Sequence, residues 1–169
     1  MVLVDWQIRK LCEAGLVDPF DPEMINPSSI DIRIGYTAMC DTGQGFSDFD
    51  FYDFTKDFPY FMQPNECLLV ATLESFNVPD NIAIELKLKS SRAREGLSHA
   101  LAGWVDNGFH GILTLELKNY STKHPVAIYP GLRIGQLILH ETLLPDKTYQ
   151  SGRYAGHNTV IGSMDSHFV

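Results

Sequence analysis

Cysteine is scarce and scattered: the three present, Cys12, Cys40 and Cys67, stand far apart and form neither a CxxC nor a Cys/His ligand spacing. That excludes a disulfide framework and a structural zinc site, and it predicts reduced, mostly buried thiols. Long apolar runs are missing too. The longest, CLLVATL and QLILH, fall far short of the roughly 20 residues that span a bilayer, and MVLVDWQIRK has no basic segment leading an apolar core. No membrane partner is expected, and the protein is expected in the cytoplasm. Positive charge is in deficit, 13 Lys and Arg against 21 Asp and Glu, for a formal net charge of −8. Such a chain offers nucleic acid no general footprint, so no DNA or RNA partner is expected, and an anionic ligand needs a local cluster of cations.

What remains is one domain's length, residues 1–169 with 44% hydrophobic residues, and mostly strand-like sequence. One helix is legible: in DWQIRKLCEAG, residues 5 to 15, Asp5 can cap, Ile8, Leu11 and Cys12 share a face, and Gly15 supplies the stop. The Pro/Asp-dense VDPFDPEMINPSS after it reads as a loop. IDIRIG alternates as a half-buried strand does. Residues 41 to 62, with repeated Asp and Phe, read as an exposed hairpin or an edge covered by a neighbouring subunit rather than an aromatic ligand box. From Glu66 onward, short alternating strands separated by Gly and Pro predict an all-β barrel or sandwich. The tail, about 145–169, reads as a flexible terminus or as a lid.

Chemistry concentrates between Lys87 and Glu116. The strand NIAIELKLK delivers Lys89 to a Ser90-Ser91-Arg92-Ala93-Arg94 turn, where three cations and two hydroxyls can hold phosphates. A solvated basic turn is the alternative. In GILTLELKNY, Glu116 points away from the face of Leu113, Leu115 and Leu117; lining a pocket it is a general acid/base raised by desolvation, otherwise a solvated ladder residue. Asp106, in the turn WVDNGFHG, can accept from a ligand hydroxyl or simply form an Asx turn. His99 and His110 have no metal-ligand companions, and the H-x-E with P-C-x-x-C pattern of zinc-dependent deaminases is absent.

In order along the chain, INPSSIDIRIG, KSSRAR, HALAGWVDNGFHG, ILTLELKN and YPGLRIGQL resemble the dCTP deaminase branch of the dUTPase superfamily. The resemblance implies a distorted jelly-roll or β-clip barrel with a short N-terminal helix, and a homotrimer with sites at subunit interfaces. It implies zinc-independent hydrolysis of dCTP to dUTP and ammonia, with Mg²⁺ arriving on the triphosphate. It also implies residue roles. Glu116 is the general base and proton shuttle, with Ser90 and Arg94 flanking the water and the pyrimidine. Lys89, Ser90, Ser91, Arg92, Ala93 and Arg94 form the loop around the nucleotide and its phosphates. Ala102 brings backbone to the base, Asp106 reads the deoxyribose 3′-hydroxyl, and Thr114, Leu115, Glu116 and Gln136 make further contacts. Tyr149, Arg153 and His157 are lid contacts. The chain departs from the family pattern with Asn107 in the usual D-P-G, Arg92 where leucine is common, and R-Y-A-G-H in the tail. Two other functions are compatible with the same motifs: a dUTPase or bifunctional deaminase and diphosphatase, and a catalytically silent trimeric nucleotide-binding regulator.

Overall fold

In the computed structural model, which describes residues 1–165, the expected helix forms at Asp5–Glu13 (α1), with Ile8 and Cys12 buried and Leu11 packed partly against the core. Asp5 is not its cap. Val4 holds that position, Gln7 Oε1 accepts from the Val4 N–H at 3.2 Å, and the Asp5 carboxylate accepts from the Trp6 N–H. The stretch that follows is more ordered than a loop. Val17–Asp18 (β1) and Ile25–Asn26 (β2) pair antiparallel with later strands on either side of a 3-10 turn at Pro22–Met24, which the Asp21 carboxylate caps by accepting from the Glu23 N–H.

Strands dominate from there: Ser29–Asp41 (β3), Phe46–Asp50 (β4), Tyr60–Met62 (β5), Cys67–Asn77 (β6) and Ile82–Leu88 (β7). A five-residue helix, Ser90–Arg94 (α2), precedes Leu97–Ser98 (β8), Trp104–Val105 (β9), His110–Asn119 (β10), Val126–Ile128 (β11) and Arg133–Glu141 (β12). The main sheet runs β8-β10-β6-β3-β12-β7-β9, its pairs antiparallel, and curls into a half-barrel; β5 and β11 form a separate pair. The expected fold class, all-β with a short N-terminal helix, is the one observed. Among the described residues no helix is long and apolar enough to cross a membrane.

β3 is the hub, pairing with β12 and β2 through its first half and with β6 and β4 through its second. Its first half is therefore covered on both faces, not half-buried as the alternation of IDIRIG predicts. Ile30, Ile32 and Ile34 fill one side, while Asp31 on the other is only 2% exposed. Lys89 Nζ donates to Asp31 at 2.6 Å, Asn26 Nδ2 donates at 2.8 Å, and Arg133 stands 3.7 Å away. Two residues on, Arg33 donates to the buried Glu74 carboxylate through its guanidinium at 2.6 Å and its own N–H at 2.9 Å. Carboxylates withdrawn from water persist only with such partners.

The segment 41–62 splits in two. β4 is an edge strand on β3, as anticipated, but Phe51 is buried in an internal cluster with Phe49, Phe54 and Tyr60. Phe46, Tyr52, Phe58 and Phe61 remain exposed.

Candidate active site

A cleft of about 1300 Å³ lies over the edge of β10, walled by β7, by the loop from His99 to Asp106, and by the tail from Tyr149 to Met164. Between Leu113 and Leu117, β10 is paired by a strand only on its β6 side, because β8 covers just Lys118 and Asn119. Thr114 and Glu116 face the space so left, and Leu115 between them is buried in the core. Glu116 is half-buried, and no side chain of the described residues bonds or pairs with its carboxylate. Burial pushes its carboxyl above the usual carboxylate range, against a smaller downward pull from its own backbone N–H. A lone, partly desolvated carboxyl in a cleft is suited to taking and returning protons.

Across the cleft, Asp106 is exposed and accepts from the Trp104 indole N–H at 3.0 Å. The turn after it is closed by its backbone carbonyl, which accepts from the Phe109 N–H at 3.2 Å, so the carboxylate is not the turn former. Ala102 lies exposed in the same wall, beyond Ala100 and Leu101, both in the left-handed region with φ 52° and 63°.

The other half of the expected site is elsewhere. None of Lys89, Ser90, Ser91, Arg92, Ala93, Arg94, Gln136 or Arg153 lines this cleft. The expected turn is the helix α2, with Ser90, Ser91 and Arg94 exposed to solvent. Lys89 is committed to Asp31 instead of being free for phosphate, and Arg92 pairs with Glu95 at 2.8 Å. Gln136 accepts from the Ser29 hydroxyl at 3.1 Å on the β3–β12 ladder, and Arg153 pairs with Asp165 at the surface.

The tail from Gly156 to Ile161 is docked, not loose. The Gly156 N–H donates to the His110 carbonyl at 2.8 Å, the Ile112 N–H to the His157 carbonyl at 3.0 Å, and the Ile161 N–H to the Thr114 hydroxyl at 3.2 Å. Val160 is buried against Leu69, Ala71, Met39 and Ile112. Tyr149 and His157 thereby join the cleft wall, while the last four residues of the 145–169 tail lie outside the described residues.

The sequence assigned no site role to Lys87, His99 or Trp104, all of which line the cleft, whereas Tyr154, a lid candidate of the tail, lines it as well. Lys87 was recoverable, since period two puts it on the face of Lys89; its ammonium stands 2.5 Å from Glu85, which it holds below the usual carboxylate range. Trp104 had no signal, because its role depends on Asp106 folding back toward it. Among the described residues no three His, Cys, Asp or Glu side chains are grouped to hold a metal ion.

A family profile described as dCTP deaminase-like matches residues 2–142. A protein of Methanoregula boonei named dCTP deaminase, dUMP-forming, is 39% identical over 161 residues, covering 88% of this chain and 87% of that one. Its namesake in Acidothermus cellulolyticus is 40% identical over 158 residues, covering 86% and 82%. The crystal structure of 2′-deoxycytidine 5′-triphosphate deaminase from Agrobacterium tumefaciens matches 83% of this chain with a TM-score of 0.68 at 19% identity. This chain spans 47% of that longer one, and likeness at such identity speaks for the fold. The profile runs unbroken from the strand bridge at Val2 to the end of β12, through every strand that shapes the cleft, and so the chain belongs to the dCTP deaminase-like family.

Proposed function

We propose that this protein hydrolytically deaminates dCTP, and that it goes on to split the triphosphate, so that ammonia, pyrophosphate and dUMP are released. The observation that carries the deamination is Glu116: a half-buried carboxyl, raised by desolvation and without a side-chain partner among the described residues, facing a cleft with room for a nucleotide. Its carboxylate takes a proton from water as the oxygen bonds to C4 of cytosine and delivers it to N3; it then carries the proton of the new C4 hydroxyl to the amine, whose C–N bond breaks to give ammonia as the C4 carbonyl forms. Asp106 accepts from the 3′-hydroxyl, and Ala102, Thr114 and Leu115 frame the base. The sequence motifs by themselves lead to dUTP as product. The relatives are named dUMP-forming, which favours the bifunctional alternative.

Ser90 and Arg94 complete the site from a neighbouring copy. This is supported by their exposure on a helix outside the cleft that holds Glu116, and by the exposed Tyr52, Phe58 and Phe61, which a trimer would cover. Lys89 supports the fold through Asp31; Ser91, Arg92 and Ala93 serve by forming α2; and Gln136 serves through the β3–β12 ladder. Tyr149 and His157 act from the docked tail, with Arg153 at its outer edge. The triphosphate brings its own Mg²⁺, held by phosphates and water. Free thiols at Cys12, Cys40 and Cys67 suit the reducing cytoplasm. Purified protein should be given dCTP or dUTP with Mg²⁺ and a zinc-selective chelator. Equal ammonia and pyrophosphate from dCTP, and pyrophosphate from dUTP, are expected. Ammonia without pyrophosphate reinstates dUTP as the end product, and binding without turnover points to a regulator.

A further inference from the structure

α2 is too short to hold itself in place. Five residues make little more than one turn, helix nucleation is costly, and its N-cap, Lys89, supplies no side-chain cap. Its start is tied to the sheet through Lys89, whose N–H donates to the Ile134 carbonyl at 2.9 Å and whose ammonium pairs with Asp31; its far end is held by a different turn. Tyr120 Oη donates to the Ala93 carbonyl at 2.9 Å, the Tyr120 N–H donates to the Gly96 carbonyl at 2.9 Å, and His124 Nε2 faces the Glu95 carbonyl at 3.2 Å. These are groups at and just past the end of α2, where a helix leaves carbonyls without intrahelical donors. Gly96, at φ 106°, admits the contact, since a Cβ there would lie 3.2 Å from Ser121 Cβ and 3.3 Å from Asn119 Oδ1.

The turn that reaches over α2 is itself rigid. Asn119 is fully buried; its Nδ2 donates to the carbonyls of Met62 at 3.0 Å and His124 at 3.1 Å, and its Oδ1 accepts from the Ser121 N–H at 2.9 Å. Ser121 Oγ accepts from the N–H groups of Lys123 and His124, both at 3.2 Å, which leaves its own proton for His124 Nδ1 at 2.9 Å. The ring proton is thereby assigned to Nε2, the atom that faces Glu95.

From this arrangement we propose that Tyr120 and His124 are positioning residues for the deamination, clasping the exit of α2 so that Ser90 and Arg94 meet the nucleotide at a fixed angle. The proposal rests on the reading of α2 given under the proposed function.

Tyr120→Phe removes one oxygen from an exposed side chain. His124→Asn keeps a polar group near Nδ1 but loses the donor at Nε2, whereas His124→Gln keeps a donor there. The Tyr120→Phe/His124→Asn double variant is expected to lose about 10- to 100-fold in kcat for dCTP, the scale of a small misplacement of reacting groups. Its melting temperature should stay within about 2 °C of the parent. Replacing Asn by Gln at 124 in the same background should recover much of the rate. Ser90→Ala and Arg94→Ala are measured alongside. If both of those lose activity while the double variant turns over like the parent, the clasp is refuted. A loss that follows a fall in melting temperature and is not recovered by Gln also refutes it, leaving a merely structural turn. If Ser90→Ala and Arg94→Ala both turn over normally, the reading of α2 fails and takes the clasp with it.

Discussion

At the scale of single residues, two carboxylates in this chain illustrate opposite solutions to burial. Asp31 is surrounded by donors, and Lys89 supplies the closest of them. Lys89→Ala should therefore destabilise the fold by about 3 kcal/mol, read by denaturant titration, because it strands a buried charge. Arg94→Ala, on an exposed side chain, should leave stability unchanged. Equal stability for both variants would refute this division of labour. Glu116 has no such side-chain partners among the described residues, and burial lifts its carboxyl above the ordinary value of 4.5. A raised folded value means that the native state binds the proton more tightly. Stability on this account falls as pH rises from the ordinary carboxylate value through the folded one, and the loss persists above it. Glu116→Gln should thus gain stability relative to the parent across that window, and should show no gain below it. The acid limb of kcat/KM should reflect the same group, lying above the ordinary carboxylate range. A limb at or below 4.5 would contradict the assignment. The alternation of GILTLELKNY was enough to point Glu116 away from the leucines; that it faces a cleft without a partner depends on β8 stopping at Ser98, which no local pattern announces.

At the scale of elements, strands with clear alternation were legible and the segments between them were not. β7 and β10 follow from period two, and α1 from its apolar stripe and Gly15. α2 was hidden because Lys89 to Arg94 carries no apolar stripe, and the helix is held by carbonyl contacts from a turn some 30 residues on. The Pro-rich run after α1 was mistaken for a loop because β1 and β2 are two residues each, defined by their partners rather than by their own sequence. The tail illustrates the same limit. Its lack of period predicts mobility, yet it docks through backbone groups, to which sequence periodicity is blind. Gly111 makes room for it: its φ is 114°, and a Cβ there would stand 2.8 Å from the His157 carbonyl oxygen. Gly111→Ala should loosen the tail, raising the rate of tryptic cleavage at the exposed Arg153 by about tenfold. An unchanged cleavage rate would show that the tail is held by something other than this contact.

At the scale of the whole molecule, one chain displays Glu116, Asp106 and Thr114 in a cleft and carries Ser90 and Arg94 outside it. The family resemblance already implied sites at subunit interfaces, but ordered motifs carry no information about which copy supplies each half. On the proposed function, a deamination site is assembled from Glu116 of one chain and α2 of the next. The most direct test mixes two chains, Glu116→Gln and Arg94→Ala, unfolds them together, refolds them, and measures ammonia release from dCTP. Each variant alone should be nearly inactive, with the Gln substitution costing roughly 10²–10⁴-fold from lost acid–base catalysis. In randomly mixed trimers about a quarter of the sites pair an intact Glu116 with an intact Arg94, so about a quarter of the parental rate should return. Mixed trimers that remain as inactive as their parents would contradict the shared site.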